Sequence, residues 1–231
     1  LAAIEPPLWC RLLSSYCERK GIETDILDLN AITSTDIEPY DHYDLLRAID
    51  SRHVNLIVII AHGQQPSAST QTMPSVIEAS RLIKQATPEI PILIVGGHPA
   101  ALPERTLEET GADFICTGEG PATILALWKH LKASQTTRDS RKDHIPALCY
   151  RGEDLDLIRT NPAENIWNLT EEMPSGMWDK LPMEKYRAHN WHCLGIESRQ
   201  PYASIYTSLG CPYACSFCNI QNPFRAGDFL K

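Results

Sequence analysis

Two apolar runs without alternation, residues 55–61 and 91–95, constrain the fold of this chain most strongly. Continuous stretches of Leu, Ile and Val are typical of parallel strands that are covered on both faces of a sheet. Residues 112–117 predict a third strand, and segments with helical spacing separate the three strands. Strands that alternate with helices predict an α/β fold with a doubly wound parallel sheet, of the flavodoxin-like or Rossmann-like kind.

Five segments carry apolar residues at the 3.6-residue spacing of amphipathic helices. They span residues 7–20, 44–51, 73–86, 102–110 and 121–132. Residues 23–29 alternate and predict a further strand, and residues 202–208 are rich in β-forming residues. Residues 147–151 and 156–160 flank a Gly-Glu-Asp turn and predict a β-hairpin.

Glycines collect where three of the predicted strands end. Ligands bind at the carboxyl ends of strands in such sheets, and glycine lets the backbone approach a ligand or adopt positive φ. The three groups are His62-Gly63, Gly96-Gly97-His98 and Gly118-Glu119-Gly120. A tight turn into a helix explains any single group, but three consecutive strand ends favour a binding edge. No G-x-G-x-x-G or G-x-x-x-x-G-K-[ST] occurs, which disfavours a dinucleotide or nucleotide triphosphate.

Cys211, Cys215 and Cys218 are spaced C-x-x-x-C-x-x-C within residues 210–219. Three thiolates in so short a loop can converge on one metal or iron–sulfur centre and leave one position open for chemistry. A structural zinc site is an alternative, but it would need a fourth ligand. The candidates for that ligand are His189, His192 and Cys193. A disulfide is a weaker alternative, because the sequence shows no secretory segment.

Composition limits the partners of the chain. The formal net charge is −8 and no basic block occurs, so nucleic acid is an unexpected partner and a small-molecule substrate is expected. No apolar run approaches the length of a membrane span. Eight cysteines without a signal peptide indicate a reducing, cytoplasmic location. Four of them are scattered and are interpreted as packing residues: Cys10, Cys17, Cys116 and Cys149.

Residues 210–219, with the aromatic Phe217 just before the third cysteine, resemble the signature of radical S-adenosylmethionine enzymes. The resemblance implies that Cys211, Cys215 and Cys218 hold a [4Fe–4S] cluster whose open iron binds S-adenosylmethionine, with Phe217 beside that cofactor. It also implies that the cluster cleaves the sulfonium to a 5′-deoxyadenosyl radical. An electron donor such as flavodoxin or ferredoxin is implied as a partner.

The glycine-rich strand ends carry a second resemblance. Gly96-Gly97-His98-Pro99, and Gly118-Glu119-Gly120 followed by a helix, are similar to the cobalamin-binding domain that precedes the radical S-adenosylmethionine domain in one large subgroup. The cobalamin contacts that it implies are Gly63, Gln64, Ser67, Gly97, His98, Gly118 and Glu119. The D-x-H-x-x-G signature is absent, so His98 is a candidate pocket contact or axial ligand.

The two resemblances divide the chain into three parts. Residues 1–132 are the expected cobalamin-binding domain, 133–200 a linker and connector with the hairpin, and 201–231 the start of a (β/α) barrel. In the connector, Trp167, Trp178 and Trp191 are expected to pack across the two domains. The chain begins with Leu1 and continues only a dozen residues past Cys218, so we expect a fragment without its first strand and most of its barrel. Alone it is expected to have no turnover.

The function implied is a cobalamin-dependent radical S-adenosylmethionine enzyme, a methyltransferase that moves a methyl group from methylcobalamin to an unactivated carbon or phosphorus centre. A non-methylating enzyme of the same superfamily, which cyclises or oxidises its substrate, is one alternative. A cobalamin-binding or sensing module with a degenerate barrel is another. A methylthiotransferase would need a second cluster on three further cysteines, which is disfavoured because Cys10 and Cys17 lie on one predicted helix.

Overall fold

The structure is a computed structural model of the 231-residue chain. It describes residues 4–33, 42–50, 54–62, 68–134, 142–174, 176–189, 195, 200–211, 213, 215–218 and 220–224. The chain divides into two compact units. The first unit comprises residues 1–52 and 168–208, and the second comprises residues 53–167 and 209–231. The predicted domain limits remain predictions.

The second unit is built on a five-stranded sheet in the order β1-β2-β3-β4-β5. The strands are β1 (Ile57–Ala61), β2 (Ile92–Gly96), β3 (Phe114–Cys116), β4 (Leu148–Arg151) and β5 (Leu157–Arg159). The first three are parallel, β4 pairs antiparallel with β3, and β5 pairs antiparallel with β4. The predicted α/β fold is confirmed, and the predicted hairpin extends the same sheet and makes it mixed.

Nine α-helices are named along the described residues. They are α1 (Leu8–Arg19), α2 (Leu29–Thr33), α3 (His42–Asp50), α4 (Ala68–Ala86), α5 (Gly97–Ala101), α6 (Pro103–Thr110), α7 (Pro121–Ser134), α8 (Leu169–Glu172) and α9 (Gln221–Phe224). The helices predicted from spacing correspond to α1, α3, α4, α6 and α7. Gly111 ends α6 with φ +68°, and its N–H donates to the Leu107 carbonyl at 3.0 Å. None of the described helices is long and apolar enough to cross a membrane.

The core of the second unit lies around β2, whose residues are all buried. Ile92, Leu93 and Ile94 have no exposed surface. This burial on both faces is the arrangement that an apolar run without alternation predicts.

The strand predicted at residues 23–29 is wrong. Residues 22–28 form neither helix nor strand, and α2 begins at Leu29. The polar residues of the alternating pattern bond to α1, to neighbouring backbone, and to Lys180 and Tyr186 instead of lining a sheet. Thr24 Oγ1 lies 2.6 Å from Ser14 Oγ, and an Asp28 carboxylate oxygen accepts a hydrogen bond from the Asn30 N–H at 3.0 Å.

The strand predicted at residues 202–208, the expected first strand of the barrel, is also wrong in this structure. These residues have no regular secondary structure. The Ser204 carbonyl accepts a hydrogen bond from Arg11 Nη2 at 3.2 Å, so a side chain occupies a position that a neighbouring strand would take in a ladder.

The first unit packs α1 and residues 22–33 against residues 176–188. Its core includes Ile4, Ala31, Leu181 and Tyr186, with Trp178 packed against them. Ile4 forms only an isolated antiparallel bridge with Arg187, so it belongs to no strand of the sheet. Of the other connector tryptophans, Trp167 is 52% exposed and Trp191 lies outside the described residues.

Candidate functional site

The candidate site begins where β1, β2 and β3 end. We call these strand ends, with His62, α5 and residues 117–120 that follow them, the strand-end edge. The register places Ala61 opposite Gly96 at the last pair of β1 and β2. A Cβ at Gly96 would lie 2.1 Å from the Ala61 carbonyl oxygen, so only glycine permits this approach of the two backbones.

Ser69 ties the ends of β1 and β2 together from the first turn of α4. Its buried hydroxyl donates to the Ala61 carbonyl and accepts a hydrogen bond from the His98 N–H at 2.9 Å. The next residue, Thr70, has its hydroxyl oxygen 3.2 Å from His98 Nδ1. The start of α4 therefore fixes both the backbone and the ring of His98.

His98 keeps its second ring nitrogen without a partner. Nε2 is buried and has no hydrogen-bond partner among the described residues. Burial lowers the pKa of His98, and the nearby Arg105 charge lowers it further while Glu109 opposes the shift. The ring is therefore neutral near pH 7, and Nε2 is available to a bound molecule as a donor or an acceptor according to the tautomer.

The third strand end is occupied by contacts within the protein. A Cβ at Gly118 would lie 3.1 Å from the Ala147 Cβ, so the small size of this glycine is required by packing. Glu119 is 7% exposed, and its carboxylate accepts a hydrogen bond from the Ile166 N–H at 2.8 Å. Both residues thus have a structural role beside the predicted cobalamin contact.

Of the remaining predicted cobalamin residues, the structure describes one. Gly97 is buried at the start of α5, where the sequence predicted a loop, so the Gly-Gly pair leads directly into a helix. Gly63, Gln64 and Ser67 lie outside the described residues.

Sequence reasoning missed Ser69 and Thr70, because the helix was predicted to begin at residue 73. The run of Ser and Thr at residues 67–72 was the available signal, since such residues favour helix starts. The structure begins α4 at Ala68 and so brings both hydroxyls to the strand-end edge.

The cysteine loop, residues 209–220, carries the three predicted cluster ligands. Cys215 is exposed, and Cys211 and Cys218 are half-buried. The Cys218 N–H donates to the Cys215 carbonyl at 3.1 Å, which closes a turn between the second and third thiols. Phe217 between them is 91% exposed. The loop therefore offers its thiols and an aromatic ring to the outside.

The helix after this loop lies at the strand-end edge. α9 begins three residues after Cys218 and packs against α5, the helix that carries His98. Pro223 and Phe224 of α9 are buried. The end of the cysteine loop is thereby attached to the same edge of the sheet as His98.

Three cysteines outside the loop are poor thiolate donors. Burial raises the pKa of the Cys10 and Cys17 thiols to about 12 and raises that of Cys116 as well, so these three hold their protons. Among the described residues, which include all three loop cysteines, no group of three or more His, Cys, Asp or Glu side chains is gathered to hold a metal ion. The loop supplies the ligand type and number but not a closed geometry.

Comparison with protein-family models shows which family the chain belongs to. Residues 1–127 match the family model described as the B12 binding domain. The chain belongs to the B12-binding domain family. This match covers the strand-end edge with His98, Gly118 and Glu119.

Relatives of this chain come from two kinds of enzyme. It is 27% identical over 217 residues to the hopanoid C-3 methylase of Methylococcus capsulatus. It is 23% identical over 218 residues to the anaerobic magnesium-protoporphyrin IX monomethyl ester cyclase of Rubrivivax gelatinosus. The alignments cover 92% and 93% of this chain, respectively, and 35% of each relative.

A solved structure has the same fold. The radical S-adenosylmethionine methyltransferase TsrM from Kitasatospora setae, with tryptophan substrate and a S-adenosylmethionine analogue bound, matches with a TM-score of 0.63 at 20% identity. The match covers all of this chain and 41% of TsrM. The B12-binding chain therefore spans well under half the length of these proteins. The resemblance to the cobalamin-binding subgroup of radical S-adenosylmethionine enzymes is confirmed.

Proposed function

We propose that the chain is the cobalamin-binding part, with the cluster loop, of a radical S-adenosylmethionine methyltransferase that methylates an unactivated carbon or phosphorus centre. The observation that carries the proposal is the junction of α9 with α5, which joins the loop of three cysteines to the strand-end edge of a B12-binding domain. When bound, the cluster with S-adenosylmethionine would supply radical chemistry and methylcobalamin the methyl group.

The proposed cobalamin residues act by binding and orientation. His98 presents a neutral ring whose buried Nε2 can contact the cofactor, and Thr70 holds the other ring nitrogen. Gly97 brings the backbone close to the same edge. The other proposed contacts are Gly63, Gln64, Ser67, Gly118 and Glu119.

The proposed cluster residues act as thiolate ligands. Cys211, Cys215 and Cys218 are the only closely spaced cysteines in the sequence, and their partial exposure leaves them open to iron. Phe217 has its ring free to border S-adenosylmethionine. We propose flavodoxin or ferredoxin as the electron donor, a small molecule as the substrate, and the cytoplasm as the location.

Cobalamin binding is tested by titrating the chain with hydroxocobalamin and following the absorption of the corrin. We expect saturable binding that His98→Ala weakens about tenfold or more, since this variant removes a buried polar contact. His189→Ala, on the half-buried His189 of the first unit, is the matched control. Absence of saturation in the wild-type chain would contradict the assignment of the strand-end edge.

Cluster binding is tested by anaerobic reconstitution with iron and sulfide. The wild-type chain is expected to hold about four irons per molecule. Cys215→Ala should lose most of this iron, whereas Cys10→Ala, on the α1 helix, should keep it. Full iron retention by Cys215→Ala would exclude the loop as the cluster site.

A non-methylating reaction is the second candidate, because a cyclase aligns over nearly the same share of the chain as the methylase. The two functions differ in the fate of the methyl group. The test uses the full-length protein with reductant and S-adenosylmethionine labelled in its methyl group, and a methyltransferase should place the label on its cobalamin. Cobalamin that stays unlabelled while S-adenosylmethionine is cleaved would favour cyclisation or oxidation.

A further inference from the structure

Residues 161–166 lie near the loop that follows β3 and are joined to it directly and through Ala147. The Ala147 N–H donates to the Asn161 carbonyl at 2.6 Å, and the Ala147 carbonyl accepts from the Thr117 N–H at 2.8 Å. A Cβ at Gly118 would lie 3.8 Å from the Ala163 Cβ. This irregular segment is therefore held along the β3 end rather than by a helix or strand of its own.

Glu119 contributes a side-chain hydrogen bond to these contacts. Its carboxylate is almost completely buried and accepts the Ile166 N–H at 2.8 Å. A hydrogen bond that is shielded from water is costly to lose, because its donor is then left without an acceptor. The carboxylate thus fixes the end of the 161–166 segment at the strand-end edge.

Asn165, the residue before Ile166, connects the 161–166 segment to α9. Asn165 Nδ2 donates to the Phe224 carbonyl, the last residue of α9, at 3.1 Å. α9 begins three residues after Cys218. Two adjacent residues of one short segment therefore hold the β3 end on one side and the helix after the cysteine loop on the other.

We propose that Glu119 and Asn165 are positioning residues, which through the 161–166 segment attach the cysteine loop to the end of β3. The inference rests on the proposed function in one respect, namely that the cysteine loop holds a cluster. Its physical content is independent of any cofactor. It assigns to Glu119 a positioning role in addition to the cobalamin contact proposed above.

The chemistry of the Glu119 contact gives a conservative variant. Gln keeps an oxygen that can accept the Ile166 N–H and removes only the ionisable group, whereas Ala removes the acceptor of this part-buried N–H. Glu119→Gln should therefore rescue most of what Glu119→Ala loses. Glu104→Ala, an exposed carboxylate on α6, is the matched control for loss of a glutamate.

The test is amide hydrogen exchange of the reduced, cofactor-free 231-residue chain, followed in peptides that cover residues 215–224. We expect Glu119→Ala to speed exchange there about tenfold or more, and Asn165→Ala about fivefold, by opening the contact. Glu119→Gln and Glu104→Ala should stay near the wild-type rate. Because both residues act through one segment, the double Ala variant should exceed the larger single effect only slightly.

Several outcomes would overturn the proposal. Unchanged exchange in Glu119→Ala would remove its positioning role, and weakened hydroxocobalamin binding in the same variant would leave Glu119 as a cofactor contact only. Additive effects in the double variant would show that Glu119 and Asn165 do not act through one segment. If circular dichroism shows Glu119→Ala unfolded, Asn165→Ala decides, and unchanged exchange in that variant contradicts the proposal. A chain that binds neither iron nor cobalamin would remove the proposed function and leave this result intact.

Discussion

At the scale of single residues, the site depends on polar groups that burial holds in one state. His98 is neutral because desolvation disfavours the imidazolium, and its ring is oriented by Thr70. The sequence predicted the importance of His98 from its place after two glycines. It could not predict Thr70, because a hydrogen bond between residues 28 positions apart depends on how α4 and α5 pack.

The lowered pKa of His98 predicts a pH dependence of stability. The folded chain binds the proton less readily than the unfolded chain, so His98 contributes stability above its unfolded pKa that is lost as the pH falls through its folded pKa. Between about pH 7.5 and pH 5.5, the free energy of unfolding by urea should fall less in His98→Gln than in the wild type. Equal falls in both proteins would contradict the buried, neutral ring.

Arg11 of α1 is the largest completely buried side chain in the described first unit. Its guanidinium donates to the Gly176 carbonyl at 2.8 Å and to the Ser204 carbonyl, and it lies 3.4 Å from the centroid of the Trp178 ring. Burial lowers its pKa to about 10, so it stays charged at pH 7. The planar shape of the guanidinium, more than its positive charge, allows Arg11 to make these contacts.

Arg11→Lys should therefore destabilise the chain although it keeps the positive charge. We expect a loss of about 2 kcal/mol in the free energy of unfolding, since lysine cannot reach both carbonyls and stack on the indole. Arg19→Lys, at the exposed end of the same helix, should change stability by less than about 0.5 kcal/mol. Equal urea midpoints for the two variants would contradict the stabilising role of the planar Arg11 guanidinium.

At the scale of elements, the local sequence pattern was sufficient to predict the strands of the parallel sheet and the helices between them. The apolar runs became β1, β2 and β3, and helical spacing with Gly111 gave the end of α6. Pattern failed at residues 23–29 and 202–208, where alternation or β-propensity had no sheet partner to act on. It also missed α5, because a Gly-Gly-His-Pro sequence carries turn signals, although the structure continues it as a helix.

The contact of β1 with β2 gives a prediction for Gly96→Ala. The added methyl group would meet the Ala61 carbonyl, which belongs to rigid backbone, so the strand ends must separate. We expect a loss of about 3 kcal/mol in stability together with weaker hydroxocobalamin binding. Gly118→Ala is the graded control, because its methyl group would meet only a side-chain carbon at 3.1 Å and should cost about 1 kcal/mol. Urea unfolding that ranks the two in the opposite order would contradict the account.

At the scale of the whole molecule, the chain combines two cofactor-binding signals in one sequence. The strand-end edge and the cysteine loop are more than 110 residues apart between His98 and Cys211, yet both belong to the second compact unit. The packing of α9 on α5 and the hydrogen bond from Asn165 to Phe224 join the cysteine loop to the strand-end edge. These contacts could not be predicted from the sequence, since no local pattern encodes contacts over such separations. The sequence did indicate both halves through their glycines and cysteines.

The metal content of one purified, anaerobically reconstituted sample tests the central claim of two separate sites most directly. After incubation with hydroxocobalamin, iron and sulfide, and removal of unbound material, the wild-type chain should contain cobalt equimolar with protein and about four irons. His98→Ala should lose cobalt and keep iron, and Cys215→Ala should lose iron and keep cobalt. A wild-type chain that retains neither metal, or variants that lose both together in a folded protein, would contradict the claim.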